Sequence, residues 1–340
     1  MKTSDVALYQ PHFPRIVSND ARHFRLKDEI YKYLQAHANT NINTLRARTY
    51  DLQSFLLYME VHFEEPLLGD VNDGYVESWK CELLQGGESP TTVMRRIAIV
   101  KAFFRALSEI YPGFVSPARK VTAPHVTPGK PKALNPKEEV ALRSLLYDRR
   151  NLGYREARNY ALVETCLEVG FRTEELVRLT EANIGPDMTA FIQVWGKANR
   201  FRDKAISERL ASVLEWYLPR RTLAIKEWAF RKRANKLDPR ALPLFVSFHE
   251  AIPEVVESFR MSPKTVYRIV TGACREADID HHPTHHLRHT LGTKLADATG
   301  DPALVCEALG HSDVKMTMRY ITRGIDRIRE EMNKMNKGHL

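Results

Sequence analysis

Between Ser116 and Pro136 the chain carries five prolines, at 117, 124, 128, 131 and 136, and no acidic residue lies between Glu109 and Glu138. Proline lacks the amide hydrogen and fixes φ, so a stretch this dense in it continues neither a helix nor an inner strand. It reads as an extended, stiffened linker over residues 116–136. The linker divides 340 residues into two portions, each long enough for its own core. Arg119, Lys120, Lys130 and Lys132 give it a single sign of charge. A spacer could carry them, and their uniform sign also suits contact with a phosphate backbone.

Before the linker the periodicity is helical. Leu26, Ile30 and Leu34 recur at helical spacing; Leu45, Leu52, Phe55, Leu56 and Met59 mark a second helix, broken by Pro66 and Gly69. Asp70 to Asp73 can cap a third, carrying Val76, Trp79 and Leu83 and ending at Gly86-Gly87. Ser89 caps a fourth with Pro90 at its first position, and Val93, Ile97, Val100, Phe103, Phe104 and Leu107 repeat along it. These elements predict a small helical bundle over residues 21–115, with residues 1–20 a flexible arm.

After the linker, Pro136-Lys137-Glu138-Glu139 opens a helix, another runs from Arg155 to Val169, and Thr173 to Leu179 is helical too. The period then switches. Phe191 to Trp195 and Phe201 to Ile206, around a turn at Gly196-Lys197-Ala198-Asn199, predict a β-hairpin. Helices return from Ser207, so the fold class is mainly α with a small antiparallel β-sheet. The run Arg220 to Arg240 holds eight Lys and Arg against Glu227 and Asp238, and is either a solvated helix face or a DNA-backbone contact.

Composition narrows the function classes. With 43% hydrophobic and 27% charged residues the chain reads as soluble and globular. No apolar run approaches the roughly 20 residues of a membrane helix. Met1-Lys2-Thr3-Ser4-Asp5 leads into no apolar signal core. Cys81, Cys166, Cys274 and Cys306 are scattered without a CxxC pair, which predicts reduced thiols in a cytoplasm. The net charge of +9 points to a polyanionic partner.

The chemistry sits in the last sixty residues. Pro283 and Thr284 start a helix, with Thr284 its expected N-cap. Leu287, Leu291, Leu295 and Ala298 share one stripe of it; His285, Arg288, His289 and Gly292 share the adjacent one. Gly292 removes bulk where something can approach closely. Asp301-Pro302 starts the next helix and Gly310 stops it, leaving His311 in a tight turn. Ser312 caps a short helix that carries Tyr320, nine residues after His311. A tyrosine oxygen can bond covalently to phosphorus while cations hold the charge that builds there. Taken singly, each of these residues has an ordinary structural reading. His281, His282, His285, His286 and His289 also raise a metal site, but they show no metal-ligand spacing with a carboxylate or Cys that would complete a set and Pro283 interrupts the run, so no metal is expected.

Four boxes in order make the chain resemble a tyrosine recombinase of the phage-integrase family. The family's G-L-R-x-x-E-L is similar to Gly170-Phe171-Arg172-Thr173-Glu174-Glu175-Leu176, and its G-K-G-N-K turn to Gly196-Lys197-Ala198-Asn199-Arg200. Its H-x-L-R-H-T matches His285 to Thr290, and its L-G-H followed by tyrosine matches Leu309-Gly310-His311 and Tyr320. Thr44, Tyr50 and Phe55, then Ser89 to Thr92 and Val100 to Phe104, resemble the family's core-binding domain. Phe171, Ala198, Arg200 and His286 depart from the pattern; they affect packing, the freedom of the turn, nothing in charge, and the choice of imidazole, in that order.

The resemblance implies a SAM-like core-binding domain at 21–115, a catalytic domain at 137–322 and a C-terminal helix at 323–340, the two domains closing a C-shaped clamp on DNA. Tyr320 is the implied nucleophile, Arg172 and Arg288 the phosphate clamp, and Lys197 the acid for the leaving 5′-oxygen. His285 is implied to handle the tyrosine proton, His311 to donate to the phosphate, and Glu175 and His289 to support. Arg95, Arg96, Lys101, Arg119, Lys120, Lys130, Lys132 and Arg200 are the expected DNA-binding cations. The implied activity is site-specific strand exchange through a 3′-phosphotyrosyl link and a Holliday junction, without metal, ATP or other cofactor. The implied partners are a double-stranded recombination site, a homotetramer on synapsed sites (a monomer or weak dimer when free) and accessory DNA-binding proteins. A cytoplasmic, nucleoid-associated location follows, with no membrane. Ile321, Ile325, Ile328, Met332 and Met335 form an apolar seam suited to docking on a neighbouring protomer. Two alternatives stand beside this: a type IB topoisomerase-like enzyme, and a DNA-binding regulator that has lost catalysis.

Overall fold

The computed structural model describes residues 20–126, 132–196, 201–233, 238–248, 259–310, 315–318 and 320. The expected N-terminal arm up to residue 19, Lys130, the hairpin tip with Lys197 and Arg200, His311, and the seam after Tyr320 lie outside them. The chain divides into two compact units, Met1–Thr127 and Pro128–Leu340.

The first unit is a four-helix bundle: α1 (Leu26–Ala36), α2 (Ile42–His62), α3 (Asp73–Gln85) and α4 (Pro90–Ile110). Side chains of Asn41, Asn72 and Ser89 accept backbone N–H groups and so start α2, α3 and α4. The cap of α3 is thus Asn72, between the two aspartates. Phe55 of α2 meets Trp79 of α3 and Phe104 of α4 edge to face, at ring separations of 5.1 and 6.0 Å. The whole apolar stripe of α4 is buried.

The second unit contains α5 (Pro136–Arg149), α6 (Tyr154–Val169), α7 (Thr173–Leu176), the strands β1 (Ala190–Trp195) and β2 (Phe201–Ala205), α8 (Glu208–Arg231), α9 (Pro263–Glu276), α10 (Thr284–Thr299), α11 (Pro302–Leu309) and α12 (Lys315–Met318). Helix α6 is its axis: Ala157 and nearly every residue from Tyr160 to Val169 is buried, with α5, α8 and α10 against it. The strands pair antiparallel, Phe191 with Lys204 and Val194 with Arg202, around an irregularity where Gln193 takes φ +50°. Helix α7 is shorter than the expected run to Leu179. The chain turns there because Leu179 and Thr180 pair instead with residues 243–244, through Leu244 N–H to Leu179 O at 2.6 Å.

Candidate active site

Helix α10 presents the candidate residues. Its N-cap is Pro283; Thr284 is already helical, and its buried hydroxyl finds no partner. The expected Thr284 cap is therefore corrected by one position. Tyr320, from a later segment, packs against this helix, 4% exposed, with Ala296, Val305 and Leu309. Its hydroxyl is 2.5 Å from His289 Nδ1, so His289, expected in support, touches the expected nucleophile directly. A Cβ on Gly292 would sit 2.9 Å from Cε1 of the Tyr320 ring, so the missing side chain is what lets the ring settle there. His285 is exposed, its ring 5.6 Å from that of His289.

The arginines meet at the C-terminal turn of α11. Arg288, 7% exposed, donates from Nη1 to Gly170 O at 2.6 Å and from Nη2 to Leu309 O at 2.5 Å. Arg172 donates to Glu175 Oε1 at 2.8 Å and to Gly310 O at 3.1 Å. Glu175 also accepts the Arg172 backbone N–H at 3.0 Å, so one carboxylate starts α7 and aims the guanidinium. Burial opposes its charge, but its bonds to Arg172 and the nearby Arg202 outweigh this and hold the carboxyl below its ordinary value. Burial, with Arg172 alongside, pushes Arg288 down to about 10, which leaves it charged at neutral pH.

Two residues of β2 join this cluster without having been expected. Arg202 shares both acceptors of Arg172, donating to Gly310 O at 2.8 Å and to Glu175 Oε1. Lys204, 5% exposed, donates to Ala308 O at 2.6 Å and Val169 O at 3.4 Å. The available signal was strand periodicity: positions 202 and 204 share a face, and that face packs inward. Burial and the cations Arg288 and Arg202 push the Lys204 ammonium down to about 7. Its ordinary value is 10.5, so between these two the unfolded chain holds a proton that the folded chain has lost. Stability from this residue therefore rises with pH across that window. Urea denaturation should show about 3 kcal/mol of gain from pH ~7 to pH ~10 that Lys204→Met lacks. Parallel curves for the two proteins would sink the assignment.

His286 turns into the domain. Its Nδ1 is 3.1 Å from His282 Nδ1, and His282 Nε2 is 3.2 Å from Glu138 Oε1. Burial, then the neighbouring His285 and His282, push His286 down to about 4, so it stays neutral where a surface imidazole would titrate. The fold thus brings to the histidines a carboxylate that the sequence order had set far away. Among the described residues no three His, Cys, Asp or Glu side chains converge as metal ligands. Leu134 N–H donates to Thr290 Oγ1 at 2.9 Å, tying the end of the linker to α10.

The expected DNA-binding cations divide. In the first unit Arg96 is committed to the fold, donating to Ser54 at 2.7 Å and Glu88 at 2.6 Å, and Arg95 pairs with the buried Asp51 while staying exposed. Lys101 donates to Val121 O at 2.6 Å. It lines a cleft of about 690 Å³ with Arg119 and with Arg105, which had not been singled out. Arg119, Lys120 and Lys132 are exposed. In the basic run after Arg220, Arg221 is fully buried and braces Pro239, Leu242 and Pro243 carbonyls, so it belongs to the core rather than to a solvated or DNA-facing surface.

Comparison with known proteins shows the family of the chain. The phage integrase family matches residues 137–324, and the phage integrase N-terminal SAM-like domain matches residues 28–109. The tyrosine recombinase XerD of Listeria monocytogenes serovar 1/2a is 27% identical over 298 residues, covering 87% of this chain and 93% of its own. XerD of Staphylococcus aureus strain Mu50 is 24% identical over 311 residues, covering 91% and 97%. In fold the chain is similar to the XerH site-specific recombinase bound to its difH substrate, with a TM-score of 0.66 at 18% identity over 89% of this chain and 83% of that one. It is also similar to the Tn1549 transposon integrase with a circular intermediate DNA, with a TM-score of 0.65 at 16% identity over 92% and 99%. With the family's catalytic region spanning more than half of its length and the N-terminal domain matched separately, the chain belongs to the phage integrase family.

Proposed function

We propose that this protein is a site-specific DNA recombinase that cleaves and rejoins duplex DNA through a 3′-phosphotyrosyl link at Tyr320. The observation that carries the reading is the Tyr320 hydroxyl, 2.5 Å from an imidazole on the helix that also holds Arg288. His289 takes the phenolic proton as the tyrosine oxygen bonds to phosphorus. Arg288 and Arg172 hold the non-bridging oxygens with the N–H groups that face away from their carbonyl partners. The P–O5′ bond breaks, and Lys197 gives a proton to the departing oxygen. His285, exposed beside His289, and His311 complete the phosphate's surroundings. The phosphotyrosyl bond stores the energy of the broken one, so the reverse attack by a 5′-hydroxyl reseals DNA without ATP. Guanidinium and ammonium groups carry the charge, so cleavage should persist in EDTA.

The relatives named as recombinases, and the structures of XerH and the Tn1549 transposon integrase with DNA, support DNA exchange over simple swivelling. We place the protein at the nucleoid, acting as a homotetramer on two synapsed sites, with Arg105, Arg119, Lys120 and Lys132 among its backbone contacts and accessory proteins as further partners. Genome-wide mapping of covalent tyrosine–DNA adducts gives the site. Two copies of it on one supercoiled plasmid should then recombine, through a synapse that is lost when residues 324–340 are removed. Relaxation without recombination would instead assign a type IB topoisomerase-like activity.

A further inference from the structure

Three successive carbonyls at the end of α11 each receive a cation of the site. Ala308 O accepts from Lys204, Leu309 O from Arg288, and Gly310 O from both Arg202 and Arg172. Two of these four cations come from one strand, at alternate positions of β2. Strand β2 is therefore not merely paired with β1. It is bolted along the turn that precedes His311, and through Glu175 to Arg172.

Arg202 makes the central joint. Its side chain is 25% exposed, both its terminal nitrogens are engaged, and its Nε is buried without a partner. Both ends of the guanidinium are thus spent on protein acceptors at this turn. It also fills the space at Gly310, where a Cβ would come within 1.6 Å of Nη1 and where φ is +62°. A glycine there is needed twice over: for the left-handed turn, and for the arginine that crosses it.

We propose that Arg202 is a positioning residue for Lys197: it fixes strand β2, which follows Lys197 in the chain, against the Arg172–Glu175 pair. Lys197 lies five residues before Arg202 and two after Trp195, the last paired residue of β1. A general acid on a hairpin tip delivers its proton only if the strand below the tip is fixed relative to the phosphate clamp. Arg202 supplies that fixed point, and Lys204 repeats it two residues on. The two-pronged grip on Gly310 O and Glu175 needs a planar fork, which a lysine at position 202 cannot reproduce. This inference rests on the reading of Lys197 as the acid for the leaving 5′-oxygen.

The test compares cleavage of two nicked suicide substrates, one with the ordinary 5′-bridging oxygen and one with sulfur. A thiolate leaves without being protonated, so the sulfur substrate bypasses the general acid. Arg202→Ala should cleave the oxygen substrate about 10²-fold more slowly than the unaltered protein, the scale of a lost general acid. On the sulfur substrate it should come within roughly tenfold, as Lys197→Ala should. Arg202→Lys, a milder change, should show the same sulfur-selective recovery with a smaller defect. Gel-shift binding to one half-site, unchanged in each variant, certifies the fold. If sulfur recovers Lys197→Ala but neither Arg202 variant, or if both Arg202 variants cleave the oxygen substrate at the normal rate, the positioning role is overturned. If Lys197→Ala itself is not recovered, the general-acid reading fails and this inference falls with it.

Discussion

Tyr320→Phe is expected to leave no covalent protein–DNA adduct on a suicide substrate while binding a half-site normally. The two halves of this expectation rest on different atoms. The ring of Tyr320 packs with Ala296, Val305 and Leu309 and fits over Gly292, and phenylalanine keeps every one of those contacts. The hydroxyl and its 2.5 Å bond to His289 disappear. One lost hydrogen bond costs about 1 kcal/mol of stability, too little to unfold a domain. The missing oxygen, by contrast, is the atom that bonds to phosphorus in the proposed mechanism, and no rearrangement of the ring replaces it. The measurement is the protein-linked band on a denaturing gel. A surviving band would assign the nucleophile to another side chain and remove the basis of the mechanism.

The hairpin and the caps of α4 and α11 were legible because they depend on neighbours in sequence. Ser89-Pro90 and Asp301-Pro302 carry their own hydrogen-bonding instructions, and Asp301 does accept the Ala303 N–H at 2.7 Å. Gly292 was legible as a place of close approach, but what approaches, the ring of Tyr320, is set by the path of the chain after α11. Arg202 and Lys204 were passed over for the opposite reason. Phe201-Arg202-Asp203-Lys204 carries charge at three of its four positions, and the partners Gly310, Glu175 and Ala308, supplied by other elements, are what make the face of 202 and 204 an inner one. The exchange of emphasis between His285 and His289 has a similar origin. Spacing on a helix tells which residues share a stripe, not which of them meets a group arriving from a different segment. His286 shows the converse: it meets His282, which in turn meets Glu138, 144 residues before His282 in the chain.

Arg288→Lys should slow cleavage by about 10²–10³-fold, the scale of a removed transition-state donor, and should also make the rate fall as pH rises. Arg288 does two things with one planar group. It spans Gly170 O and Leu309 O, joining the end of α6 to the end of α11, and in the proposed mechanism its remaining N–H groups serve the phosphate. An ammonium is a single point and cannot span both carbonyls while facing an anion. The pH effect follows from the surroundings. Burial and the neighbouring Arg172 already lower the guanidinium to about 10, and the same environment acts on a lysine that starts about two units or more lower. Its charged form is the one that both holds the phosphate and pays the desolvation cost, so the substituted protein loses the proton, and the activity, at a lower pH than the arginine protein does. Single-turnover cleavage between pH ~6.5 and pH ~9 resolves this. A proportional loss at every pH would show that Arg288 contributes geometry alone. A rate that stays level at high pH in the unaltered protein and declines in the lysine variant would show that its unbroken charge, set among other cations beneath the scissile phosphate, is the property the site depends on.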